Sequence, residues 1–351
     1  MSDDAGDSDP VLSAGDQPAD LAAVVAKPDA EIAIASLRDE GVYDDSRRVR
    51  EYGTETVALP ILDPPESTDV LDVVRQTDPE PRAPDLETLL RERGWDDDSV
   101  ADAPASWAVV GSVVLVSLDS WSDVEEQDIG EALLELHGEA DTVCAHEGVT
   151  GELRQPETRV VAGLGDTETV HTEHGTRYSL DLSQVMFSPG NQAERARMGE
   201  VVDEDERVLD MFAGIGYFTL PMARAGAQVT AVEKNPESFR FLGENANLNG
   251  VLDRVSLVLG DCRDVEATAD RVVMGYYDAH AYLDSALDAL EPGGILHMHA
   301  TTPEDLLWDR PVSRLEAAAE KEGRAVEILD KRRVKSHSEG VWHVVLDARV
   351  D

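Results

Sequence analysis

Three acidic residues close three consecutive strand patterns: Asp210 in "RVLDMFAGIG", Glu233 in "QVTAVEK" and Asp261 in "VSLVLGDCRD". After Asp210, Gly214 and Gly216 let the backbone turn tightly beside a ligand. Glu233 stands 23 residues beyond Asp210. At that spacing an acid after a glycine-rich turn accepts hydrogen bonds from ribose hydroxyls. Asp261 is placed to accept from an adenine amino group, and the backbone N–H of Cys262 to meet the ring. In so acidic a chain each acid alone would be a solvated surface group. Three in register at strand ends point to an adenosine ligand. A dinucleotide site needs a third glycine opening a helix that receives pyrophosphate. That position is Thr219, and the helix carries Pro221 early. Without a phosphate cradle, S-adenosylmethionine is the better fit.

Two further stretches flank this set. In "VMFSPGNQAERARM", Ser188 and Pro189 break the chain before a helix that starts near Gln192, with Glu194 and Arg195 in its first turn. Arg195 is the candidate partner of the methionine carboxylate, a strong charge-assisted pair; the alternative is helix capping and surface charge. In "DRVVMGYYDAH", the fourth strand ends in Met274, Gly275 and Tyr276, where no side-chain amide or carboxylate follows at once. His297 and His299 sit on the next strand, where only one is expected to face the site, and a satisfied core histidine is the expected reading of either. Neither is spaced with a cysteine for metal binding, so no metal is expected.

These residues require a scaffold. From about residue 190, strand and helix patterns alternate at βαβ spacing, ending in the pair "AVEILDKRRVKS" and "VWHVVLDARV". The expected fold class is α/β: a doubly wound, Rossmann-like methyltransferase sheet with a terminal antiparallel hairpin, preceded by small α+β modules. Residues 1–29 read as a disordered acidic tail. Residues 30–62 read as a small α/β module carrying a basic cluster (Arg47, Arg48, Arg50), and 63–104 as a linker with one short helix. Residues 105–189 read as an α+β module: a strand over "WAVVGSVVLVSLD", a helix with Ile129, Ala132, Leu133 and Leu136 on one face, a strand, and a hairpin turning at His174-Gly175. Residues 190–351 are the expected cofactor-binding catalytic domain.

The 351 residues include 73 acidic and 30 basic side chains, a net charge of −43, with only five lysines. With 42% hydrophobic residues and regular periodicity, this is the composition of a folded protein from a salt-rich cytoplasm. There the Debye length falls to about 3 Å and self-repulsion is screened. The charge is therefore no argument against nucleic acid. Two cysteines exclude a disulfide framework. No apolar run reaches the roughly 18 residues of a membrane span, and no signal peptide is evident. A cytoplasmic protein without membrane association or an obligate protein partner is expected.

With "FSPGNQAER", "DMFAGIGYFTLP", "VEKNP", "NANLNGV", "GDCRD" and "RRVKSHSEGVWHVVLD", the chain resembles the archaeal family that modifies the guanosine next to the tRNA anticodon. One branch holds the tRNA guanine N1-methyltransferases. The other, the wybutosine-synthesizing branch, transfers the 3-amino-3-carboxypropyl group of S-adenosylmethionine to 4-demethylwyosine in tRNA(Phe). The methyltransferases resemble "FSPR" with a fourth strand ending in Asn-Leu-Pro. Here Gly190 and Asn191 follow the proline, and "MGY" and "HMHATTP" are similar to the wybutosine branch. The resemblance implies that Ser188, Arg195, Glu233, Asp261 and Cys262 bind the cofactor, and Phe212 and Gly214 of the glycine turn are expected beside it. It implies a carbon acceptor, for which an amide would be a desolvated group without a partner. Gly275 then makes room for the base or the methionine tail, Tyr276 or Tyr277 stacks on the base, and Glu194 is the candidate proton acceptor. The alternatives are the N1-methyltransferase and a tRNA-binding module without catalysis. As phosphate contacts, the basic clusters 46–50 and 330–337 are the candidates, against a reading of local charge balancing.

Overall fold

The computed structural model describes residues 20–76, 79–80, 84–118 and 121–351. The chain divides into two units, Met1–Thr88 and Leu89–Asp351. Of the expected acidic tail, residues 1–19 lie outside the described residues, but the rest is ordered. Leu21–Ala26 forms strand β1, because "LAAVVA" buries four residues in a row between neighbours on both sides.

The first unit is a four-stranded antiparallel sheet with one helix. After β1 come α1 (Ala30–Asp39), β2 (Arg50–Glu51), β3 (Thr56–Pro60) and β4 (Asp72–Arg75), in the order β2-β3-β1-β4. Strand β4 falls inside the expected linker, paired to β1. Ala23, Val25, Leu37, Leu59 and Ile61 form the core. Gly41, at φ +70, turns the chain after α1. Arg47 is a structural residue. It is buried, pairs with Asp44 at 2.6 Å, and donates to the Leu21 and Ile61 carbonyls at 2.9 and 2.8 Å. Arg48 and Arg50 both face Glu80, at 3.7 and 3.4 Å. Local charge balancing accounts for Arg47, while Arg48 and Arg50 remain at the surface beside Glu80. Helix α2 (Leu86–Glu92) spans the point where the units divide.

The second unit starts with α3 (Asp97–Ala101), also within the expected linker and capped by the Asp96 side chain. The expected single strand over 107–119 is instead two, β5 (Trp107–Val110) and β6 (Val113–Val116), paired antiparallel about Gly111. Gly111 has φ +58, and a Cβ there would sit 2.1 Å from the Thr169 hydroxyl, so the apolar run must turn at this point. Helix α4 (Asp123–Leu136) opens with a capping box between Ser122 and Glu125 and buries Ile129, Ala132 and Leu133. It packs on β7 (Thr142–Thr150) and β8 (Gln155–Gly163), completing the sheet β5-β6-β7-β8. The hairpin β9 (Glu168–Glu173) and β10 (Thr176–Asp181) turns at His174-Gly175, both at positive φ.

Next come α5 (Gln192–Val201), β11 (Arg207–Asp210), α6 (Thr219–Ala225), β12 (Gln228–Glu233), α7 (Pro236–Leu248), β13 (Val255–Leu259), β14 (Ala269–Met274), α8 (Leu283–Ala289), β15 (Leu290–Pro303), α9 (Asp309–Lys321), β16 (Val326–Ser338) and β17 (Val341–Val350). The sheet order is β13-β12-β11-β14-β15-β17-β16, parallel from β13 to β15 and antiparallel through the final hairpin. The order reverses between β11 and β14, where doubly wound sheets hold ligands at the strands' carboxyl ends. Residues 105–189 lie in the same compact unit, Leu89–Asp351, as the sheet. Among the described residues no helix is long and apolar enough to cross a membrane.

The buried Arg47–Asp44 pair gives a stability prediction. Arg47→Met leaves the Asp44 carboxylate buried without its cation, which costs about 3–5 kcal/mol. Urea unfolding in concentrated salt measures this. A change within error would mean that Asp44 finds another counter-charge.

Candidate active site

A cavity of about 340 Å³ opens at the carboxyl ends of β11, β12, β13 and β14. Ser188, Arg195, Phe212, Gly214, Glu233, Asp261, Cys262 and Tyr276 all line it. The turn between β7 and β8, including Glu152, Leu153 and Arg154, forms a further wall. A volume of this size suits a small cofactor.

The glycine turn after β11 is held by Glu233. Its Oε2 accepts the Gly214 N–H at 2.7 Å and its Oε1 accepts the Asn235 N–H at 2.6 Å. Each oxygen keeps a second lone pair for a ribose hydroxyl. Burial raises the Glu233 carboxyl above its ordinary range, and the backbone N–H groups oppose that shift. Gly214 is at φ +58, and a Cβ would meet the Tyr217 ring at 2.3 Å. Asp210 lies beneath, fully buried, accepting from the Thr219 hydroxyl at 2.7 Å. Burial pushes it up to about 6.

Asp261 is held well below the usual carboxylate range, chiefly by hydrogen bonds from Arg263. Arg263 contacts it at 2.6 Å and Lys234 at 3.3 Å. Burial pushes the Cys262 thiol up to about 12, which leaves its backbone rather than its sulfur for chemistry. Beside them Phe212 stacks on Tyr276 at 5.2 Å, and Tyr282 meets Phe212 edge-on at 5.0 Å. This aromatic corner next to a carboxylate suits a purine.

Three expectations change. Arg195 lines the cavity, but its guanidinium is bound bidentately to Glu173 at 2.6 and 2.7 Å and donates to the Ser188 carbonyl at 2.9 Å. Burial would raise Glu173, but the His171 and Arg195 hydrogen bonds outweigh it and hold it low. Arg195 is therefore one half of a neutral pair at the cavity wall. Glu194 does not line the cavity. It is buried and gripped by Arg332 at 2.7 and 3.2 Å, because the first turn of α5 turns that side chain toward β16. It is not placed as a free base. Gly275 makes room for protein before ligand: a Cβ there would lie 2.7 Å from the Phe218 ring.

The basic run on β16 also turns partly inward. Arg332 binds Glu194, Asp330 and Asp347. Lys335 donates to the Ser188 hydroxyl at 2.5 Å and fills the space beside Gly190, where a Cβ would lie 3.1 Å from its Cδ. Burial, then Arg195 and Arg154, lowers the Lys335 pKa. Lys331 and Arg333 stay exposed. The two histidines of β15 separate as expected, but only His297 is satisfied. It is clamped between Asp347 and Arg271, both at 2.6 Å. His299 lines the cavity, pairs with His343 at 2.9 Å, and keeps Nε2 without a partner.

Sequence reasoning missed Arg154, Tyr282 and His343, and took Lys335 only as part of a surface basic cluster. His343 carried a signal: with Asp347 it is polar on a strand whose other buried residues are apolar, four residues apart on one face.

The TRM5/TYW2 methyltransferase domain profile matches residues 169–329, and the TYW2 N-terminal domain profile matches residues 82–167. The chain is 42% identical over 251 residues to a tRNA(Phe) (4-demethylwyosine(37)-C(7)) aminocarboxypropyltransferase of Pyrococcus horikoshii, covering 70% of this chain and 90% of that one. The crystal structure of P. horikoshii TYW2 in complex with MeSAdo aligns with a TM-score of 0.66 at 38% identity, over 74% of this chain and 96% of that one. The crystal structure of Trm5b from Pyrococcus abyssi aligns with a TM-score of 0.73 at 30% identity, over 95% and 99%.

Two predictions follow from the floor of the cavity. Glu233→Gln should weaken S-adenosylmethionine binding by about 1.5–3 kcal/mol, the loss of a charged acceptor, as read by calorimetry. Unchanged affinity would refute a ribose contact. Asp210, raised to about 6 from an ordinary 3.8, binds protons better folded than unfolded. Its contribution to stability is therefore fullest in acid and declines as pH rises to about 6, with no further loss above. The urea midpoint of the wild type minus that of Asp210→Asn should trace this decline between about pH 4 and pH 6. A flat difference would mean that the carboxyl titrates normally.

Proposed function

The chain belongs to the TRM5/TYW2 family, and on that premise we propose that it transfers the 3-amino-3-carboxypropyl group of S-adenosylmethionine to 4-demethylwyosine in tRNA(Phe), releasing methylthioadenosine. The chain acts on tRNA as an S-adenosylmethionine-dependent transferase. The finer statement is the identity of the base and of the tRNA.

One observation carries the choice: the loop after β14 offers aromatic rings and no amide or carboxylate. Tyr276 stacks on Phe212, Tyr277 packs between His337 and His343, and Asp278 is exposed and does not line the cavity. An N-methyltransferase has to hold the ring N–H of its acceptor, whereas a carbon acceptor has no such proton. A sulfonium offers three carbons, and the one presented in line at about 3–3.5 Å reacts. With Arg195 neutralised by Glu173, Lys335 beside Ser188 and Arg154 over Tyr277 supply positive charge on that side. There they favour a carboxylate. Glu233 and Asp261 hold the adenosine at the opposite end. The match to Trm5b across 95% of the chain supports the second reading, guanine N1-methylation.

The by-product separates the two. With S-adenosylmethionine and tRNA(Phe) carrying 4-demethylwyosine, in concentrated salt, methylthioadenosine should accumulate in step with modified tRNA. S-adenosylhomocysteine would instead establish methyl transfer. Turnover on other tRNAs bearing the same base would overturn the tRNA(Phe) assignment but not the reaction.

A further inference from the structure

The proposed transfer leaves a proton to be removed, and Glu194 is closed off by Arg332. Two histidines in the cavity are not. His299 Nδ1 and His343 Nε2 lie 2.9 Å apart and share one hydrogen. Both rings are buried and line the cavity. Each has its other nitrogen, His299 Nε2 and His343 Nδ1, without a hydrogen-bond partner among the described residues. The rings are held firmly: His299 against Phe218 at 5.1 Å, and His343 against Tyr277 at 4.8 Å. A buried imidazole nitrogen without a partner costs free energy unless something else uses it.

Tautomer bookkeeping gives the pair a direction. If His299 donates the shared hydrogen, its outer nitrogen is bare and the outer nitrogen of His343 carries a proton. If His343 donates, the roles reverse. Either way the pair, at the cavity wall, keeps one bare and one protonated outer nitrogen. A proton gained at the bare end can leave from the other when the shared hydrogen shifts across.

We propose that the His299–His343 pair is the proton acceptor of the reaction, taking the hydrogen from the ring carbon that has received the aminocarboxypropyl group. This rests on the reading of the transfer given above. The ring carbon attacks the methionine γ-carbon with a π electron pair. The C–S bond breaks, and its electrons convert the sulfonium to the thioether of methylthioadenosine. The ring is left cationic, with the hydrogen and the new substituent on one carbon. The pair takes that hydrogen as a proton, and the C–H electrons restore the ring. Burial keeps both imidazoles neutral, lowering His299 to about 3 and His343 to about 2. Because the proton on such a cation is strongly acidic, a weak neutral base is sufficient.

The test uses two variants that keep the internal hydrogen bond and delete one outer nitrogen each: His299→Asn, which preserves the Nδ1 position, and His343→Gln, which preserves Nε2. Both should bind S-adenosylmethionine with wild-type affinity and unfold at the wild-type urea midpoint. Single-turnover formation of aminocarboxypropylated tRNA should fall by about 100-fold or more in at least one of them, the scale of general-base loss. With deuterium on the accepting ring carbon, the wild type should show no primary isotope effect on product formation and that variant a clear one, since proton removal becomes limiting. A slower variant with no isotope effect, or two variants at wild-type rate, would overturn the proposal and leave a structural pair. If the wild type releases S-adenosylhomocysteine, the reading of the transfer fails first, and the proposal with it.

Discussion

One carboxylate, Asp347, ties the last hairpin to the parallel sheet. It lies directly across from His297 in the β15–β17 register and is 3% exposed. His297 Nδ1 meets it at 2.6 Å, Arg197 of α5 at 2.7 Å, and Arg332 of β16 at 2.7 and 3.0 Å. Burial works against its charge, but these donors outweigh it and hold the carboxylate far below its ordinary range. Through His297 the network reaches Arg271 on β14, and through Arg332 it reaches Glu194 on α5. A one-residue slip of β17 would turn Asp347 to the other face and strand the buried His297 and the partly buried Arg197 and Arg332. Once that register is fixed, His343 falls on the same face four residues earlier, and Lys335 is its partner on β16. The far wall of the cavity is thus placed by a charge network that does not itself line it.

Such a network is notable in a chain with 73 acidic residues. Inside the fold, five carboxylates are matched by cations: Asp44 by Arg47, Glu173 by Arg195, Glu126 by Arg159, Glu194 and Asp347 by Arg332. Arginine suits these sites because its planar fork meets a carboxylate with two parallel hydrogen bonds. Molar salt screens exposed charges strongly and buried pairs far less. The acid background can therefore cover the surface without loosening these links.

The parallel half of the sheet was legible because each strand is a short apolar run ended by a glycine or an acid, and the helices between keep their period. The cofactor side was legible for the same reason: Glu233 and Asp261 stand at strand ends, where spacing alone fixes position. What escaped was anything set by pairing between distant elements. "WAVVGSVVLVSLD" is apolar throughout, so only the contact of Gly111 with Thr169 reveals a turn. "LAAVVA" looked like tail because its partners are more than thirty residues away. Glu194 and Arg195 are neighbours in sequence, and only the helix phase sends one to Arg332 and the other to Glu173. The β16 cations read as a surface patch because bulges in the β16–β17 ladder alter which side chains face inward.

The place of β17 between β15 and β16 also bears on the order in which the protein can be made. The parallel strands from β11 to β15 leave the ribosome first, and β15 then presents an open edge along Ile295–Ala300 with nothing to pair to. Domains fold as their segments emerge, but here the edge is closed only by the penultimate position of the sheet, filled by the last strand of the chain's described fold. Until residues near 343 to 350 have been synthesised, neither the two-histidine contact nor the Asp347 clamp exists. The nascent chain must carry an exposed strand edge, the usual template for misassociation, through that interval.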